Sequence, residues 1–173
     1  MNSNESKNLE IEHKFLCKIP PIQISYSYKI VQTYLLSPSE DVERRVRKRT
    51  SFCGKTDFFY TEKKPVNDGL FIREETEMEI SEEEYNKLLS EADPELFEIR
   101  KERTVFRFKG LKFEFDKYEF DDEYAILELE LEDYDPEKII ELPSFIDIIK
   151  NVTKDKRFKN KSLAKTRCLP IDE

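Results

Sequence analysis

Residues 9–15 read Leu9-Glu10-Ile11-Glu12-His13-Lys14-Phe15, and their alternation decides the fold. Neighbouring side chains of an extended strand point to opposite faces, so Leu9, Ile11, His13 and Phe15 share one face. Glu10, Glu12 and Lys14 share the other. The same two-residue period recurs at about 28–37, 42–50, 56–64, 71–80, 112–120 and 124–132, and residues 97–109 form a further strand with a bend expected in its middle. That makes eight strands.

Helices are fewer. Ser81 followed three places later by Glu84 is a capping box that opens a helix running to about Ser90. Asp135 and Pro136 look like an N-cap with proline at the first helical position, for a short helix through about Glu141. The segments Ser144 to Lys150 and Ser162 to Thr166 are expected to add two more, and PVNDG at 65–69 a hairpin turn. The class is α+β, mainly β.

At 173 residues the chain suits one domain with a sizeable core. Aromatic residues make up 12%, with 13 Phe and 8 Tyr, which is enough apolar surface to argue against disorder. A net charge of -8 argues against a simple nucleic-acid binder or a polybasic membrane binder. Cys17, Cys53 and Cys168 are too few and too scattered for a disulfide framework or a metal knuckle, which fits a reducing cytoplasm. No stretch approaches the roughly 20 apolar residues needed to span a bilayer.

Antiparallel sheets commonly expose one charged face to water, so a sandwich with solvated charges is the plain reading. Against it, the charges are sorted by strand, with both signs at the same two-residue spacing. Arg45 lies with Arg47, Lys101 with Arg103, Arg73 with Glu75 and Glu77, Glu114 with Asp116, and Glu128 with Glu130. If the strands curl into a closed eight-stranded barrel, these faces line its inside and the apolar faces lie under the helices. Eight strands enclose room for side chains or one small ligand, and unpaired buried charge is very costly. The acids Glu10, Glu12, Glu114, Asp116, Glu128 and Glu130 are hard oxygen donors suited to Mg²⁺ or Mn²⁺. The bases Arg45, Arg47, Lys63, Arg73, Lys101 and Arg103 suit phosphate oxygens. A polyphosphate with divalent metal satisfies both sets.

The opening Glu10-x-Glu12-x-Lys14 resembles the signature of the CYTH superfamily, the triphosphate tunnel metalloenzymes. QTYL at 32–35, Arg45-Val46-Arg47, Thr61-Glu62-Lys63, the run 73–80, the Lys101/Arg103 and Glu114/Asp116 pairs and Leu127-Glu128-Leu129-Glu130 are similar to the family's successive strand motifs. Residues 152–160 (VTKDKRFKN) with Leu163-Ala164 resemble its V-T-x-D-x-R-Y-x-N-x-x-L-A ending, so the likeness covers about 8–166. Asn151 stands where many members carry glutamate, and Phe158 replaces tyrosine.

The resemblance implies an eight-stranded antiparallel tunnel that holds a triphosphate and a divalent metal. Of the activities the family covers, the expected one is hydrolysis of inorganic tripolyphosphate by metal-assisted water attack. The rivals are a class IV adenylate cyclase and a thiamine or nucleoside triphosphatase. A non-catalytic polyphosphate-binding module is the reading from outside enzymology. Metal falls to Glu10, Glu12, Glu114, Asp116, Glu128 and Glu130, and substrate to Lys14, Arg45, Arg47, Lys63, Arg73, Lys101 and Arg103. Lys14 is expected to hold a phosphate or position the attacking water, Glu75 and Glu77 to bind metal, orient water or neutralise Arg73, and Arg157 to reach the tunnel mouth.

Overall fold

The computed structural model describes residues 6–66, 72–132 and 139–172, with the backbone alone for 6–10 and 72. Its strands are β1 (Ser6–Lys18), β2 (Tyr28–Leu35), β3 (Glu43–Ser51), β4 (Thr56–Pro65), β5 (Ile72–Ile80), β6 (Ile99–Phe108), β7 (Leu111–Tyr118), β8 (Tyr124–Leu131) and β9 (Ile148–Asn151). The helices are α1 (Glu82–Leu88) and α2 (Asn160–Thr166), with 3₁₀ turns at Leu89–Glu91 and Lys156–Phe158. Among the described residues no helix is long and apolar enough to cross a membrane.

All nine strands form one antiparallel sheet in the order β5-β4-β3-β2-β6-β7-β8-β1-β9, and β1 pairs additionally with β5. The long β1 explains how. Residues 11–18 pair with β8 along one edge, while on the other Ser6–Ile11 pairs with β5. Because β5 stops at Ile11, the edge of Phe15–Cys17 is left for β9, which pairs there. The expectation of a plain closed barrel of eight strands is therefore corrected to nine strands. The ninth was read as part of a helix over Ser144–Lys150. That segment holds a turn at 144–146 and then the strand, because it satisfies backbone donors and acceptors that β5 leaves open.

Elsewhere local chemistry produces the expected elements. Ser81 accepts from the Glu84 N–H while Glu84 accepts from the Ser81 N–H, so the capping box is complete. β6 and β7 are joined by Lys109 and Gly110, both at positive φ (51° and 77°). Two-residue hairpins favour such turns because their twist matches that of the strands. β4 and β5 pair as a hairpin, but the turn expected within 65–69 lies mostly outside the described residues. The helix expected from Asp135 begins there too, and residues 139–141 are irregular. β6 runs unbroken from Ile99 to Phe108.

Outside the sheet, Phe15, Phe113, Phe115, Leu127 and Leu129 pack under Ile140, Leu142 and Ile146. Leu35 and Val46 pack under Tyr85 of α1. The inner face changes character along its length. β1 passes from Glu12 and Lys14 to Leu16, β8 from Glu130 and Glu128 to Ile126, β6 from Arg103 and Lys101 to Ile99, and β7 from Glu114 and Asp116 to Tyr118. Leu16, Ile99, Tyr118 and Ile126 form one core with Val152, Phe158, Leu163, Ala164 and Leu169 of the carboxyl-terminal segment, which plugs that end. The segment is tied to β1 where Val152 N–H donates to the Lys14 carbonyl at 2.8 Å and Lys14 N–H donates to Thr153 Oγ1 at 3.0 Å.

Candidate functional site

The charged end of the inner face encloses a cavity of about 320 Å³ lined from every strand between β1 and β8, and by Asn160 of α2. A narrower space of about 50 Å³ adjoins it at Glu12, Arg45, Lys63 and Asn160, and reaches Lys14, Glu43, Arg73 and Lys159.

Register explains the acidic wall. Across β1, β8 and β7, Glu12 faces Glu130, and Glu128 faces both Lys14 and Glu114. Like charges directly opposite are unfavourable, so cations from neighbouring rows bridge them. Arg103 reaches Glu114, Asp116 and Glu128, and Lys14 lies 2.9 Å from Glu12 and 3.1 Å from Glu128. Burial opposes charge on Glu128, but Lys14, Lys101 and Arg103 outweigh it and hold its carboxyl well below the usual range. Burial likewise opposes charge on Lys14, yet Glu12 and Glu128 hold its pKa well above the ordinary value. Glu130 is less compensated: burial and then Glu114 raise its pKa, while Lys112 at 3.2 Å opposes.

The basic wall is paired in the same way. Arg47 donates to Glu77. Lys63 lies 3.2 Å and Arg45 3.9 Å from Glu75, and Arg73 lies 3.5 Å from Glu43. Burial, with Arg45 beside it, lowers the Arg47 pKa, and Arg47 and Arg45 in turn hold Glu77 low against its own burial. Lys101, buried against Asp116 at 2.6 Å and over the Tyr118 ring, has its pKa pushed down to about 8 by desolvation, which Asp116 only partly offsets.

Fifteen of the expected site residues have described side chains, and thirteen of these line the two spaces: Glu12, Lys14, Arg45, Arg47, Lys63, Arg73, Glu75, Glu77, Lys101, Arg103, Glu114, Glu128 and Glu130. Glu10 pairs in register with Arg73, but its side chain lies outside the described residues. Asp116 is placed differently. It is fully buried and absent from the cavity lining, with both oxygens taken by Lys101 and Arg103. Arg157 lines neither space. It is exposed on the surface between Asp155 and Asp172, because Phe158 next to it turns into the plug. Thr153, Asp155, Lys159 and Asn160 are the carboxyl-terminal residues that line the narrower space.

The expected site omits Glu43, Lys112 and Arg49, the last because it falls near a strand end, though extending the alternation of β3 and β7 by one step reaches all three. Arg49 sits over the rings of Tyr28 and Phe59 at 4.6 and 4.5 Å. Gln32, within the quoted QTYL, also lines the cavity.

Among the described residues, no three carboxylates converge as a metal ligand set. The donor chemistry nevertheless fits a hard divalent ion. Facing residues on neighbouring strands have Cβ atoms roughly 5 Å apart, so Glu12 with Glu130, and Glu114 with Glu128, are pairs of oxygen donors within reach of a common ion. Seven bases and six acids line the larger cavity, so its charge is nearly balanced. A polyanion alone would strip the acids of their partners. One that brings divalent ions replaces both halves of each ion pair.

Such a site, in an antiparallel sheet rolled around ion pairs, has the donor chemistry for a polyanion that arrives with divalent ions. The family model of the CYTH domain matches residues 8–165, and the chain belongs to that family. Among solved structures it is similar to the inorganic triphosphatase NE1496, with 26% identity over 90% of this chain and 94% of that one and a TM-score of 0.57. A second structure of NE1496, described as a hypothetical protein, matches at 26% identity over 90% and 97% with a TM-score of 0.56. No curated protein matches the chain.

Proposed function

We propose that this protein is a triphosphatase that hydrolyses inorganic tripolyphosphate with Mg²⁺ or Mn²⁺. The observation that carries the reading is the nearly balanced cavity, in which paired acids and bases from eight strands offer separate partners to a polyphosphate and its metal. The 26% identity to a protein described as an inorganic triphosphatase supports it. Residues 8–166 act in this reading as one domain in a reducing cytoplasm.

Arg45, Arg47, Lys63 and Arg103, with Lys14 and Arg73 at the narrower end, grip the non-bridging oxygens. Phosphoryl transfer is catalysed mainly by positioning and charge stabilisation, and fixed cations supply both. Glu12, Glu114, Glu128 and Glu130, with Glu10, would hold the divalent ion, which supplies further neutralisation of the phosphate charge. Asp116 keeps Lys101 and Arg103 extended toward the cavity. Glu75 and Glu77, released from Lys63 and Arg47 when phosphate takes those cations, turn toward solvent or the attacking water.

Turnover of tripolyphosphate, ATP and thiamine triphosphate, each with Mg²⁺ and Mn²⁺, tests the proposal. Tripolyphosphate is expected to be cleaved fastest, with release of orthophosphate. Faster cleavage of either organic substrate overturns the substrate, cyclic AMP with pyrophosphate from ATP overturns the reaction, and tight metal-dependent binding without phosphate release overturns the enzyme.

A further inference from the structure

Gln32 sits on β2 between Arg47 of β3 and Ile99 of β6, at the border between the charged cavity and the plug. Its side chain is fully buried and lines the larger cavity. Nε2 donates to the Tyr34 phenol oxygen at 2.9 Å, and Oε1 has no hydrogen-bond donor among the described residues. A buried acceptor left unmatched by the protein is costly and rare, and calls for an explanation. Tyr34 is itself buried in the plug, and its burial keeps the phenol protonated and fixed. The amide is thus held from behind by a buried partner, while its carbonyl, in a residue at the cavity border, is matched by no donor among the described residues.

The carboxylates that line the larger cavity are already engaged. Glu12 and Glu128 face Lys14, Glu75 faces Lys63, Glu77 faces Arg47, and Glu114 and Glu130 face Lys112. Gln32 therefore offers a neutral acceptor in a lining of charges. A phosphate oxygen, negative and without a proton, gains nothing from such an atom. Water, with two O–H donors, does.

We propose that Gln32 is a catalytic residue whose Oε1 accepts an O–H of the attacking water and aims its lone pair at the terminal phosphorus, with Tyr34 as the positioning residue behind it. In other phosphoryl-transfer enzymes a glutamine orients the attacking water in this manner. This rests on the triphosphatase reading. As the water oxygen bonds to phosphorus, the bridging P–O bond breaks and its electron pair leaves with the pyrophosphate oxygen. One water proton stays on the orthophosphate and the other passes to solvent. The amide is too weak a base to keep either, so its part is aim alone.

The test is steady-state kinetics of tripolyphosphate hydrolysis with Mg²⁺ in Gln32→Leu, Gln32→Glu and Tyr34→Phe. Misaligned reactants cost on the order of 10²-fold, so Gln32→Leu is expected to lower kcat about 10²-fold with KM within about threefold. Gln32→Glu, which keeps an acceptor oxygen, is expected to recover about tenfold of that loss, and Tyr34→Phe to lose about tenfold in kcat alone. Should Gln32→Leu fail to fold, the other two decide. A kcat within twofold of wild type in the folded variants overturns the assignment, as does a KM that rises in step with the loss of kcat, which marks a phosphate contact. A wild type that cleaves no triphosphate sinks the underlying reading, and this assignment with it, before any variant is made.

Discussion

The cavity and the plug occupy the two ends of one inner face, on the same strands, and differ by a single two-residue step. On β8, Glu128 is in the cavity wall and Ile126 in the plug, and on β1 the step runs from Lys14 to Leu16. The plug is held by area removed from water, roughly 25 cal/mol per Å² of apolar surface, and nothing in it needs a partner of opposite sign. The cavity is held by mutual neutralisation, in which each charge is tolerable only while its partner stays. Stability belongs to the first arrangement and ligand exchange to the second.

That division can be broken from either side. The largest effect is expected in the plug, where Phe158→Ala empties a fully buried site and should cost about 3–5 kcal/mol, read as the midpoint of chemical unfolding. The folded remainder should keep its kcat. In the cavity, Glu128→Gln should lower turnover by about 10²-fold or more, and since Lys14 and Arg103 each lose one partner but keep others, its unfolding midpoint should fall by less than that of Phe158→Ala. A midpoint that falls as far as in Phe158→Ala would erase the distinction.

Acid gives the next measure. Lys14, Lys101 and Arg103 hold Glu128 low against its burial, so between its folded pKa and the ordinary 4.5 the unfolded chain binds the extra proton. Its contribution is present above pH 4.5 and is lost as the pH falls through the folded value. Stability of the wild type should therefore decline below about pH 4.5, and the decline should be shallower in Glu128→Gln, measured by unfolding at a series of pH values. The smallest effect belongs to Arg157→Ala. It is expected to leave kcat and KM unchanged, and a rise in KM would return this residue to the tunnel mouth.

Eight strands were legible because period two survives in any strand with one face unlike the other. The capping box at Ser81 was legible because its bonds are local. β9 was not, because Phe145-Ile146-Asp147-Ile148-Ile149 offers apolar residues at both periods, and what makes it a strand is an edge left open by β5, far away in sequence. The site was legible wherever charges alternate, as at Arg45 and Arg47. Asp116 fits that pattern too, yet depth decides its role, and alternation carries no information about depth. Arg157 lines neither space for a related reason: in a single 3₁₀ turn the direction of a side chain is set by its neighbour, here Phe158. Gln32 was quoted but not weighed, since a neutral amide leaves no mark in a pattern of charge.

The plug also bears on the order in which the molecule assembles. Every strand that walls the cavity precedes residue 132, whereas Val152, Phe158, Leu163 and Leu169 come from later in the chain. Until they dock, Leu16, Ile99 and Ile126 form a wet, greasy floor, attractive to other chains in the same condition. Shortening the chain before Phe158 would thus spare nearly every ion pair of the cavity and still yield a protein prone to aggregate.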